Sequence, residues 1–166
     1  SVAICQGVTI PALSTTVGTG LQVNWYNAAT GGTLLQTNST SFTPTAAGTY
    51  YAESIDAATG CTSATRTAIT LTINTLPTAA ISGGVNICAG SSVSLTATGG
   101  TNYQWSGSGG SSANATYLNV TTNTSYTVTV TDLNNCTDTE TVTVQVTPIP
   151  TLVVGTITCA TDLLSY

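Results

Sequence analysis

Apolar and polar positions alternate with a period of two along much of the chain. Ile69, Leu71 and Ile73 are separated by Thr70 and Thr72; Tyr126, Val128 and Val130 by Thr127 and Thr129; Val142, Val144 and Val146 by Thr143 and Gln145. Successive side chains of a strand point to opposite faces, so each run presents one dry face and one hydroxyl-rich or amide face, as half-buried antiparallel strands do. Shorter strands are expected at residues 9–13, 21–26, 34–36, 48–55, 93–98, 102–105 and 117–120. Between them lie turn-forming clusters such as Ala29-Thr30-Gly31-Gly32, Gly99-Gly100 and Leu133-Asn134-Asn135. Helical periodicity is nearly absent, and the pattern predicts an all-β protein.

The pattern is written twice. Ile4-Cys5-Gln6-Gly7 leads to Trp25, to Gly48-Thr49-Tyr50, to Gly60-Cys61-Thr62 and to an alternating run ending at Leu76-Pro77. Ile87-Cys88-Ala89-Gly90 leads to Trp105, to Ser125-Tyr126, to Asn135-Cys136-Thr137 and to a run ending at Thr147-Pro148. A repeat of about 75–80 residues is longer than a solenoid unit and fits a string of independent modules. The expected organisation is a module at 1–76, a second at 77–149 and the opening of a third at 150–166, marked by Ile157-Thr158-Cys159. About seven strands per copy, with turns every 8–12 residues, is the rhythm of a β-sandwich. Proline restricts itself and the residue before it, so Leu76-Pro77 and residues 147–150 read as short, stiff linkers.

Composition narrows what such a string can do. Charged residues are 4% of the chain, Arg66 is the one base, His and Lys are absent and the net charge is −5. Nucleic acid is excluded as a partner, because counterion release needs several bases per site. Attachment to anionic lipid by a polybasic patch fails for the same reason, and no apolar run is long enough for membrane insertion as a helix. Ordinary triad chemistry lacks its base, no phosphate-binding glycine loop follows a strand, and the six acids are dispersed, so neither catalysis nor a cofactor is expected. Threonine fills 38 positions and keeps the outer faces wet without charge. The first residues lack the organisation of a signal peptide, so Ser1 is expected to follow a cut within a longer processed protein.

At Gly48-Thr49-Tyr50 the chain resembles the strand F run of immunoglobulin-like domains, and Trp25 and Trp105 sit where such domains keep a core tryptophan. Ala52 and Val128 stand where an antibody domain carries its second cysteine, so the antibody bridge is missing. With residues 48–53, Gly60 to Ser63 and Val130 to Thr137, the chain is similar to the Ig-like and PKD-like repeats of large secreted Bacteroidota cell-surface adhesins. Those include gliding-motility adhesins of the SprB type, exported by type IX secretion. The resemblance implies tandem Ig-like β-sandwiches in a secreted, cell-surface stalk or filament shaft. Its partners would be neighbouring Ig-like modules of the same chain, together with surface glycans or other cell-surface proteins. The competing function is an accessory carbohydrate-binding module of a secreted hydrolase.

The candidate residues follow. Cysteines without Cys-x-x-Cys spacing or histidine point to disulfides in an oxidising compartment. Four cysteines allow three pairings, and repeat symmetry favours Cys5 with Cys61 and Cys88 with Cys136, each within one copy. Such a bridge would tie the first strand to the base of the last. Cys159 is left without a partner before Tyr166. Trp25, Trp105, Tyr50 and Tyr126 are core aromatics, whereas Tyr51 and Tyr103 are candidate ligand contacts. Asp56 and Asp132 occupy matching loop positions and are turn caps or, as a weaker alternative, calcium ligands. Glu53 and Arg66 are expected to form an isolated pair. A segment at 151–158 could donate a strand to a neighbouring subunit, although a truncated module explains it more simply.

Overall fold

The computed structural model describes residues 1–152, within which every regular element is a β-strand. In the first half these are β1 (Val2–Cys5), β2 (Leu13–Ser14), β3 (Leu21–Tyr26), β4 (Leu34–Gln36), β5 (Ser41–Phe42), β6 (Gly48–Asp56) and β7 (Thr67–Asn74). In the second they are β8 (Ala80–Gly83), β9 (Asn86–Cys88), β10 (Ser91–Thr98), β11 (Asn102–Trp105), β12 (Asn114–Val120), β13 (Thr124–Thr131) and β14 (Thr137–Thr147).

One sheet of the first half has the order β1-β7-β6-β3-β4, and β2 pairs with β5 in the other. In the second half β11-β13-β14-β9 forms one sheet and β12-β10-β8 the other. Each half carries the same core arrangement, with two strands added: β4 at the edge of the first and β8 at the edge of the second. Both are Ig-like β-sandwiches.

The alternation explains the two cores. In the first half Val23, Trp25, Ala52 and Leu71 turn inward from the large sheet to meet Leu13 of β2, with Phe42 of β5 packed against them. In the second, Val93, Leu95 and Ala97 of β10 and Ala115, Tyr117 and Val120 of β12 meet Trp105, Tyr126, Val128, Val130 and Val144. Threonines on the opposite faces pair across strands through their hydroxyls, as Thr127 with Thr141 at 2.8 Å and Thr49 with Thr70 at 3.1 Å. Trp25 and Trp105 are 0% and 2% exposed, and each indole N–H donates to a main-chain carbonyl, Ser39 at 2.9 Å and Ser112 at 3.0 Å. The Tyr50 hydroxyl donates to Ala46 O at 2.7 Å, four residues upstream, the corner bond of Ig-like folds. Tyr126 instead stacks on Tyr117, with ring centroids 3.8 Å apart.

In the first sandwich β1 runs parallel to β7, and in the second β9 runs parallel to β14. Val2 lies opposite Leu71 and Cys5 opposite Asn74; Asn86 lies opposite Gln145 and Cys88 opposite Thr147. The short β1 and β9 carry too little alternation to stand out in the sequence, and β1, β5, β8 and β9 add to the strands expected from it. The strand expected at 9–13 shrinks to Leu13–Ser14, because Pro11 has no N–H to give a ladder. The expected third module, the donor-strand segment beyond Leu152, and Cys159 lie outside the described residues.

Candidate functional site at the junction

Two matching turns precede the last strands. After β6, Asp56 Oδ1 accepts the amides of Ala58 at 2.8 Å and Thr59 at 3.2 Å, and the Asp56 N–H donates to Cys61 O at 2.9 Å. After β13, Asp132 Oδ1 accepts the amides of Asn134 and Cys136, both at 2.8 Å, and the Asp132 N–H donates to Cys136 O at 3.0 Å. The residue before each cysteine is left-handed, Gly60 at φ 74° and Asn135 at φ 61°, which is why glycine and asparagine stand there. Bonds from the Ala58 and then the Thr59 amide favour the ionised form of Asp56 and hold its carboxyl below the ordinary value of 3.8. Both aspartates thus spend acceptor capacity on their own turns. Among the described residues no three His, Cys, Asp or Glu side chains gather as a metal centre would require.

The disulfide expectation needs correction. Cys5 is bonded to Cys136, with Cα atoms 5.5 Å apart, and Cys61 and Cys88 are exposed and unpaired among the described residues. The strand register supplies the reason. Cys5 sits beside Asn74, at the C-terminal end of β7, whereas Cys61 precedes Thr67, at the opposite end of that strand. At 3.3 Å per residue the eight-residue β7 holds the two about 25 Å apart. A disulfide needs Cα atoms within about 7 Å. Cys88 and Cys136 are divided in the same way by the eleven residues of β14, a span of about 35 Å.

What lies close together is the far end of one sandwich and the near end of the next. Cys5 borders the linker that follows Asn74, and Cys136 lies two residues before Asp138, whose Oδ2 accepts the Ala79 amide at 3.0 Å where the second half begins. Two connections therefore cross the junction, the main chain from Asn74 to Ala80 and the Cys5–Cys136 bond, while the Asp138–Ala79 hydrogen bond pins the end of the linker to the second sandwich. Cys136 is 1% exposed there. The parallel placement of β1 on β7 and of β9 on β14 is what sets the cysteines of one copy far apart, and strands this short left no sign of it in the sequence.

The other candidates are scattered. Tyr51 lies on β6 opposite Tyr26, and Tyr103 on β11 in the other half packs against the core while its hydroxyl donates to Gly100 O at 2.8 Å. They do not share a surface that one sugar could stack on. Arg66 is not in an isolated pair. Its Nε meets Glu53 Oε1 at 3.2 Å, one terminal nitrogen donates to Ala28 O and Gly31 O at 2.8 and 2.6 Å, and the guanidinium lies 3.4 Å over the Tyr26 ring. The one base of the chain is thereby spent in clamping the β3–β4 turn to β6.

Residues 1–74 match the family model described as Ig-like domain CHU_C associated. Among solved structures the chain is similar to extracellular domains 3–5 of Drosophila OTK, at 16% identity and a TM-score of 0.50, covering 89% of this chain and 59% of that one. Fibronectin(III)-like modules of CbhA from Clostridium thermocellum are similar at 18% identity, with a TM-score of 0.47 and coverage of 89% and 90%. The IgVJ-C2 molecule of amphioxus is similar at 20% identity, with a TM-score of 0.37 and coverage of 81% and 95%. No curated protein matches the chain. The family match on the first half and the doubled landmarks describe a tandem Ig-like repeat.

Proposed function

We propose that this chain is a length of non-catalytic shaft in a large secreted bacterial surface adhesin, where stacked Ig-like sandwiches hold a distal binding part away from the cell. The observation that carries this reading is the junction. A protein whose sandwiches need only be tethered has no use for a covalent bond between the end of one and the start of the next. A shaft does, because its reach depends on the joints staying straight. The disulfide suits an extracellular setting, and the bland, threonine-covered surface suits a spacer that should bind little on its own. Surface attachment and gliding by a type IX-exported adhesin are the roles that the sequence resemblance favours. Electron microscopy of the intact parent protein tests the reading: rods whose length grows in proportion to the number of repeats support it, and compact globules refute it.

A further inference from the structure

Two cysteines are left over, and they are the structural equivalents of the two that are bonded. Cys88 ends β9 opposite Thr147 just as Cys5 ends β1 opposite Asn74, and the following amide reaches across in both: Ala89 N–H to Thr147 O at 2.9 Å, Gln6 N–H to Asn74 O at 2.8 Å. Cys61 closes the aspartate turn after β6 as Cys136 closes the one after β13, each with its carbonyl accepting the amide of that aspartate. A linker with proline follows in both copies, at Pro77 and at Pro148 and Pro150. Burial separates the members of each pair. Cys136, covered at the junction, is 1% exposed, whereas its equivalent Cys61 is open, and so is Cys88.

We infer that Cys61 and Cys88 are the two open halves of the same inter-module bond. Cys88 takes the turn cysteine of a following module, Cys61 takes the first-strand cysteine of a preceding one, and a second copy of this chain offers both partners. The array is then stapled at every joint, always from copy n to copy n + 1. This inference rests on the shaft reading only for its purpose; the chemistry depends on the equivalence of the cysteines. Each bond forms by two exchanges with a small-molecule disulfide oxidant. One protein thiolate attacks it and releases a thiolate, then the second attacks the mixed disulfide and releases the other, so two protein thiols are oxidised and one disulfide is reduced to two thiols. At the new joint Ser63 stands where Asp138 does in the second copy, so the hydrogen bond that pins the linker to the second sandwich has no counterpart. Docking there rests on the sulfur bond and the shape of the two ends.

The test uses the full chain in a Cys159→Ser background. Cys88→Ser leaves Cys61 as the one free thiol, and Cys61→Ser leaves Cys88, with the Cys5–Cys136 bond intact in both. The two are mixed in equal amounts in a buffer of oxidised and reduced glutathione, quenched by alkylation and resolved without reductant. The expected result is a Cys61–Cys88 heterodimer exceeding either homodimer by about tenfold, the ratio set by a docking preference of 1.4 kcal/mol. Its largest dimension in small-angle scattering should be about double that of the monomer. Heterodimer at the statistical half of all dimers, glutathione-capped monomers alone, or exchange of either thiol into Cys5 or Cys136 would overturn the inference. None of these would touch the shaft reading, which stands or falls on the rods; compact parent particles alongside a strong heterodimer would do the reverse.

Discussion

Replacing Cys5 and Cys136 together by alanine cuts the staple without freeing a sulfur at the junction. The cost can be worked from the chain. With the second sandwich folded, unfolding the first must carry a closed loop of about 70 residues between Cys5 and the linker; with the first folded, unfolding the second carries about 60 between the linker and Cys136. In the chain-entropy treatment either closure restricts the unfolded state by about 4 kcal/mol, less whatever strain and junction ordering subtract. A 75-residue sandwich holds only about 4–11 kcal/mol in total, so a loss of about 2–4 kcal/mol per sandwich should lower the thermal midpoint by on the order of 10–25 °C. Replacing Cys61 and Cys88 by alanine in the isolated chain should change stability by less than about 0.5 kcal/mol, since both are exposed and unpaired among the described residues. The pairing itself can be read with one protease. Arg66 is the only base, so trypsin cuts the alkylated, denatured chain once, placing Cys5 and Cys61 in one fragment and Cys88 and Cys136 in the other. The fragments should stay joined until reductant is added. Fragments that part without reductant, or a stability loss that follows Cys61 and Cys88 instead, would refute the cross-junction bond.

Tyr50→Phe should cost about 1 kcal/mol in denaturant unfolding, because it removes the bond to Ala46 O, whereas Tyr126→Phe should cost less than about 0.5 kcal/mol, its ring being held by stacking on Tyr117. Asp56 should titrate below 3.8 when its carboxyl carbon is followed by NMR. Its folded value lies below its unfolded one, so its contribution to stability is present above the ordinary carboxylate pKa and is lost as pH falls through the lowered one; Asp56→Ala should abolish that acid-side dependence.

Strands with a core face and a threonine face were legible because burial imposes the period directly: Tyr126, Val128 and Val130 could not point elsewhere without exposing themselves. Both tryptophan sites were visible from their repetition. The short parallel strands were not, since three or four residues at a sheet edge carry no readable period. Nor was the Arg66 clamp, whose partners Ala28 and Gly31 are more than thirty residues away. The disulfides failed for a more general reason. In a tandem repeat, a bond from first-strand cysteine to turn cysteine within one copy and a bond to the turn cysteine of the next copy have the same translational symmetry. Repetition therefore identifies which positions pair but not whether the pairing stays in register with the copies. Only a length decides, and that length is β7 or β14 standing between the two cysteines of one copy.

The staggered bond has a mechanical consequence. Tension applied between residues 1 and 152 reaches Cys5, crosses to Cys136 and leaves along β14, so nearly all of the residues between the two cysteines carry no covalent load. At about 3.5 Å per residue, the roughly 20 residues outside the closed loop extend to about 70 Å, against about 530 Å for the whole described stretch once the bond is cut. A bridge within each copy would also shorten the path, but would leave two separate loops and a joint free to swivel. In single-molecule pulling, the oxidised chain should reach its limit with no unfolding step above about 50 Å. After reduction it should show two steps of about 200–250 Å, one for each sandwich. Two long steps before reduction would show that force runs through the sandwiches, and the Cys5–Cys136 bond could not then be carrying the load.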